Sequence, residues 1–79
     1  MSTRAYIFVE TAVGKTIDVL ERLRNISSIS SVDAVTGPYD IIAILEADNL
    51  NSVGDLVTGQ IHTIGGVIRT ITCLSVRGN

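Results

Sequence analysis

Two stretches of this chain, Ala5–Val9 and Ile41–Leu45, each hold five apolar residues in a row. In an extended strand successive side chains point to opposite faces. Tyr6, Phe8, Ile42 and Ile44 therefore go to one side of a sheet, and Ala5, Ile7, Val9, Ile41, Ala43 and Leu45 to the other. Runs that are apolar on both faces belong to strands shielded from water on both sides. They predict a first strand over about residues 4–10 and a third over about residues 41–47. Between them Val13, Ile17, Leu20 and Leu23 recur at helical spacing, with Asp18, Glu21, Arg22 and Arg24 mostly elsewhere on the wheel. That pattern predicts an amphipathic helix over about residues 14–25.

The serines at 27, 28, 30 and 31 look like a linker, but Ile29, Val32 and Val35 interrupt them. The segment is better taken as the approach to a second strand over about residues 31–37. Gly37-Pro38-Tyr39-Asp40 follows as a turn, because Gly tolerates unusual φ and Pro presets it. Asp48 or Asn49 can cap a second helix, in which Leu50, Val53, Val57, Ile61 and Ile64 form an apolar stripe. Gly54 and Gly59 weaken that helix by roughly 1 kcal/mol each relative to Ala. Gly65-Gly66 ends it, and a fourth strand takes about residues 67–77. This strand sends Ile68, Thr70, Thr72, Leu74 and Val76 one way. Val67, Arg69, Ile71, Cys73, Ser75 and Arg77 go the other, a half-polar set that an edge strand permits.

The order βαββαβ is the split βαβ, or ferredoxin-like, pattern of the α+β class, and its two halves are not a detectable sequence repeat. Right-handed connections put the first and third strands at the centre and the second and fourth at the edges. Two helices over such a sheet shield one face. Leaving four to six large apolar side chains wet on the other forfeits on the order of 10 kcal/mol at roughly 1.5–3 each. A whole domain is stable by only about 5–15 kcal/mol. A second subunit is therefore expected to cover the bare face, giving a homodimer.

At 79 residues the chain is one domain, residues 1–79, near the size of about 70–80 residues below which a lone core supplies only a few kcal/mol. Its one Cys, Cys73, makes no internal disulfide. One Cys with one His, His62, builds no zinc site, so no metal or cofactor is expected and a reducing, cytoplasmic setting fits. A net charge of −2 argues against a basic nucleic-acid footprint. No apolar run of about 18 residues is present to span a membrane. The opening Met1-Ser2-Thr3-Arg4 leads straight into a strand instead of a signal-peptide core. Val13-Gly14-Lys15-Thr16 ends like a phosphate-binding loop, but the full motif needs Gly where Val9 stands. His62 on a surface helix and a buried Cys73 are not expected to meet, and the carboxylates are scattered, so no catalytic group is assigned.

The turn Val35-Thr36-Gly37-Pro38-Tyr39-Asp40, followed at once by Ile41-Ile42-Ala43-Ile44, resembles a segment of the effector-binding (RAM) domain of the Lrp/AsnC, or feast/famine, transcriptional regulators. Gly66-Val67-Ile68-Arg69-Thr70-Ile71-Thr72 looks like that family's G-V-x-x-T-x-T at the start of the last strand. The two motifs stand in the right order inside the βαββαβ frame, and together they cover essentially the whole chain. The resemblance implies a dimeric α/β barrel made by two sheets packed face to face, further assembly to octamers, and small effectors such as amino acids bound between dimers. The chain opens on its first strand without the family's helix-turn-helix. The nearer likeness is thus to stand-alone sensor domains that make no direct nucleic-acid contact and join full-length Lrp/AsnC regulators.

An α-amino acid presents an ammonium, a carboxylate and a side chain. Asp40 can accept the ammonium, the N–H groups of Gly37 and Tyr39 can donate to the carboxylate, and Tyr39 can form a wall. Thr70 and Thr72 can add hydroxyls. In the family the matching turn and strand line the effector pocket. The plainer reading is that Asp40 bonds its own turn and the threonines are ordinary edge-strand residues. Two other functions fit the architecture. A small barrel oxygenase would want a polar group inside the barrel, where the strands offer only the Tyr6 hydroxyl. An ACT-like regulatory domain would place its ligand at Val13-Gly14.

Overall fold

The unbroken apolar runs become the centre of the sheet. In the computed structural model, which describes residues 2–77, the elements are β1 (Thr3–Thr11), α1 (Thr16–Arg24), β2 (Ile29–Ala34), β3 (Ile41–Ala47), α2 (Leu50–Leu56), a π turn (Val57–Ile61) and β4 (Val67–Leu74). Met1, counted above in the approach to the first strand, lies outside the described residues. The four strands pair antiparallel in the order β2-β3-β1-β4. The fold is the ferredoxin-like βαββαβ arrangement that the patterning predicts.

Ala5, Ile7, Val9, Ile41, Ala43 and Leu45 are wholly buried on the helix side, against Val19, Leu20 and Leu23 of α1 and Val53, Leu56, Val57, Ile61 and Ile64 of the second helical segment. No helix among the described residues is long and apolar enough to cross a membrane.

Four expectations need correction. α1 starts at Thr16, because Gly14 takes φ +79° and Lys15 N–H closes a turn onto the Ala12 carbonyl at 3.0 Å. The buried stripe is thereby Val19, Leu20 and Leu23, while Val13 and Ile17 are exposed. β2 runs from Ile29 to Ala34 and not from 31 to 37: Ile29 pairs with Leu45, and Val35 N–H leaves the ladder to bond the Asp40 carbonyl at 2.9 Å. β4 ends at Leu74, with Ser75 N–H adding one bond to the Arg4 carbonyl at 2.9 Å. Cys73 is exposed, since it pairs with Tyr6 on the face that no helix covers.

Asn49 caps α2, its Oδ1 accepting from Ser52 N–H at 2.9 Å. The helix then widens: His62 N–H reaches back five residues to the Val57 carbonyl at 2.9 Å. The hydroxyls of Thr58 and Thr63 bond the Gly54 carbonyl at 2.9 Å and the Gln60 carbonyl at 3.0 Å. A π turn advances the apolar face by about one residue. Ile61 and Ile64 enter the core in this way while Gln60 stays in water, and Leu56 takes the place expected for the exposed Leu50.

The opposite face carries Tyr6 and Phe8 of β1, Ile42 and Ile44 of β3, and Ile71 and Cys73 of β4, in register across the sheet. Two cross-strand ion pairs frame these side chains, Arg4–Glu46 at 3.8 Å and Arg69–Glu10 at 3.2 Å. Tyr6 foremost, and then Glu46, raises the pKa of the Arg4 guanidinium above its ordinary value. Both ion pairs are solvated and add little stability.

Candidate functional site

Asp40 does more than hold its own turn. Its Oδ2 accepts from Thr11 N–H at 2.8 Å, its N–H donates to the Val9 carbonyl at 3.0 Å, and its carbonyl takes Val35 N–H. The loop between β2 and β3 is thus strapped to the end of β1, with the carboxylate held at a fixed place. Gly37 stands at the exposed tip with φ +124° and open space around it. Such a φ is costly for any side-chain-bearing residue. The N–H groups of Gly37 and Tyr39 have no partner among the described residues. Tyr39 packs edge-on against Phe8, ring centroids 5.6 Å apart at 70°.

Thr11 is a contributor that the sequence reading missed. Its side chain is buried and its hydroxyl lies 2.7 Å from that of Thr16, at the start of α1. The signal was present: Thr11 continues the buried alternation Ala5, Ile7, Val9 as its one polar member. Ala12 N–H, donating to the Gly66 carbonyl at 2.8 Å, adds the segment before β4 to the same junction.

Thr70 and Thr72 lie on the helix side of β4, opposite Val9 and Ile7. Thr70 Oγ1 is 2.7 Å from His62 Nε2, so the second helical segment meets the fourth strand through His62. The π turn brings the imidazole there. Cys73 is on the opposite face, so the imidazole and the thiol do not form a catalytic pair.

The structure gathers the five predicted residues in two groups. Val9 pairs with Ile41 on one side and Thr70 on the other, so Asp40 and Thr70 stand at the same end of the sheet, with β1 between them. Tyr39 leans on the open face, however, and the threonines face the helices. Thr70 lines a recess of about 320 Å³ with His62, Val67, Ile68 and Arg69. Thr72 lines one of about 340 Å³ with Leu50, Val53, Gly54, Val57, Thr58 and Leu74. Neither recess includes the Gly37–Asp40 turn. The described residues contain no group of three His, Cys, Asp or Glu placed to hold a metal.

The sequence profile of the Lrp/AsnC ligand binding domain matches residues 4–78. No curated protein matches the chain. Among solved structures it is similar to TTHA0845 from Thermus thermophilus, at 27% identity and TM-score 0.92, covering 98% of this chain and 96% of that one. It is similar also to hypothetical protein PHS023 from Pyrococcus horikoshii, at 28% identity and TM-score 0.87, covering 99% and 93%. The fold alone is shared with the transcriptional regulator NMB0573 of Neisseria meningitidis, solved with L-Met, at 20% identity and TM-score 0.82, covering 95% of this chain and 50% of that one. The profile match spans nearly every residue of the chain, which belongs to the Lrp/AsnC ligand-binding domain family.

Proposed function

We propose that this domain is a non-enzymatic, cytoplasmic sensor of a small amino-acid effector, acting as a homo-oligomer that regulates transcription through Lrp/AsnC-type regulators. The observation that carries the reading is the match to the ligand-binding domain over residues 4–78, with the Gly37–Asp40 turn already shaped by the strap to Thr11. A carboxylate and two free N–H groups stand together in that turn, the complement of an ammonium and a carboxylate. The L-Met complex of the Neisseria regulator, which has the same fold, supports an amino acid as the class of effector.

The oligomer follows from the open face. Its apolar centre and framing ion pairs have the anatomy of a protein interface, apolar within and polar at the rim. A second copy laid sheet to sheet removes Tyr6, Phe8, Ile42, Ile44 and Ile71 from water, and higher assembly up to an octamer would set the turn of one subunit beside β4 of a neighbour. That juxtaposition reunites the two groups of site residues.

The test is calorimetry of an amino-acid panel including L-methionine, wild type beside Asp40→Asn. The amide keeps an acceptor for Thr11 N–H and removes only the charge. A hydrogen bond to a charged group contributes about 1.5–3 kcal/mol, so binding should weaken roughly 10- to 100-fold. Equal affinity in the two proteins removes Asp40 from the site, and a wild type that binds no member of the panel defeats the sensor reading.

A further inference from the structure

His62 is the only histidine of the chain, and a local irregularity places it. Its N–H reaches back five residues to the Val57 carbonyl at 2.9 Å, and π turns of this kind occur often at functional sites. The exposed imidazole thereby meets the half-buried Thr70 of β4, Nε2 to Oγ1 at 2.7 Å. Neither atom has a second partner among the described residues. Thr70 lies opposite the buried Val9, on the helix side of the sheet, so a second copy packed on the open face does not touch the pair.

One proton decides the chemistry of this contact. The neutral ring carries its proton on either nitrogen and leaves the direction of the bond free, whereas the imidazolium has N–H at both. Once His62 is protonated, Nε2 donates, the Thr70 hydroxyl accepts, and the hydroxyl proton turns outward to another acceptor. A positive charge then stands one hydrogen bond behind that proton. Such a donor is the complement of a carboxylate, and charge-assisted bonds are the strong ones. Arg69 is the one other charged residue along the recess of about 320 Å³ that His62 and Thr70 share with Val67 and Ile68. Its guanidinium is held at 3.2 Å by Glu10 of β1. A negative group arriving at Thr70 therefore finds its compensating charge on His62.

We propose that His62 is a positioning residue of the effector site, setting the Thr70 hydroxyl as a donor to a carboxylate of the effector and making that binding depend on pH. This rests on the reading of the domain as an amino-acid sensor with Thr70 in its site. Histidine changes charge between about pH 5 and 8, a range in which the ammonium and carboxylates of a free amino acid keep theirs. The proton and the carboxylate strengthen each other's binding by the same factor. Affinity is thus highest on the acid side and falls as the imidazole loses its proton.

The test is calorimetry with L-methionine, which offers only an α-carboxylate, and L-glutamate, which offers a second carboxylate on its side chain. Wild-type binding should be roughly tenfold tighter at about pH 5.5 than at about pH 8. Near neutral pH it should take up protons, read as a binding heat that changes with the ionisation heat of the buffer. His62→Gln keeps a donor for Thr70 that does not titrate, so it should bind with one affinity at both pH values and take up no proton. Thr70→Val removes the hydroxyl and should bind more weakly, again without pH dependence. A gain on acidification for L-methionine assigns the α-carboxylate to Thr70, and a gain for L-glutamate alone assigns the side chain. Wild-type affinity that is flat with pH, a His62→Gln protein that keeps the pH dependence, or no affinity for either amino acid overturns the proposal. Flat binding leaves the sensor reading standing, so the two ideas fail separately.

Discussion

Replacing Phe8 by glutamate should yield a folded subunit that no longer packs sheet to sheet with a second copy. Phe8 is the centre of the open face: it lies opposite Ile42 on β3 and Ile71 on β4, and Tyr39 closes on it edge-on. A carboxylate there would leave water on association without a cation to meet it, since Glu46 and Glu10 engage the two arginines of this face. Burying an uncompensated charge costs several kcal/mol, which at about 1.4 kcal/mol per tenfold raises the dissociation constant roughly a thousandfold. In the separated subunit the same carboxylate sits in solvent, and the fourteen buried apolar residues of the helix side are untouched. Light scattering over a dilution series should therefore show lighter particles, and the thermal midpoint should respond less to protein concentration than that of the wild type. Ile17→Glu, an exposed apolar position on α1, should change neither. A Phe8→Glu protein that associates as the wild type does would take the open face out of the interface.

The same face explains what was legible in the sequence. β1 and β3 were fixed within a residue or so by runs with no polar gap, because a strand covered on both sides leaves an unmistakable pattern. β2 was misplaced by two to three residues, because its serines face outward on an edge where apolar alternation has little to report. Its register comes from Leu45 and Ala43 on the neighbouring strand. The α1 stripe was counted from Val13, ahead of the point where Gly14 sets the start of the helix; periodicity gives the spacing of a stripe and not its phase. The π turn has no composition signal of its own, and without it His62 cannot be brought to Thr70. At the candidate site, Gly37, Tyr39 and Asp40 were found as a motif, yet the strap from Asp40 to Thr11 joins residues 29 positions apart. Only the β1–β3 register makes them neighbours.

Gly66→Ala should be the most damaging glycine replacement among the described residues, and Gly37→Ala shows why. Both glycines have positive φ, +103° and +124°, so both replacements incur backbone strain of about 1–3 kcal/mol. At Gly37 nothing stands within 4 Å of an added Cβ, and strain is the whole effect. At Gly66 the new Cβ meets Lys15 Cβ at 2.9 Å and Val19 Cγ2 at 3.0 Å. Val19 is wholly buried and has no room to move, and Lys15 Cβ is fixed by the turn that starts α1. Forcing extra volume into a packed site costs typically about 1–3 kcal/mol more. The Gly66 carbonyl also takes Ala12 N–H, so relief by backbone movement would loosen the junction of β1, α1 and the approach to β4. The expected loss is about 2–6 kcal/mol for Gly66→Ala against about 1–3 for Gly37→Ala. At roughly 4–8 °C per kcal/mol for a domain of this size, the thermal midpoints of the two variants should lie several degrees apart at matched protein concentration. Equal midpoints would mean that α1 yields to the added methyl group, and the close packing of Gly66 on Lys15 and Val19 would then hold nothing in place.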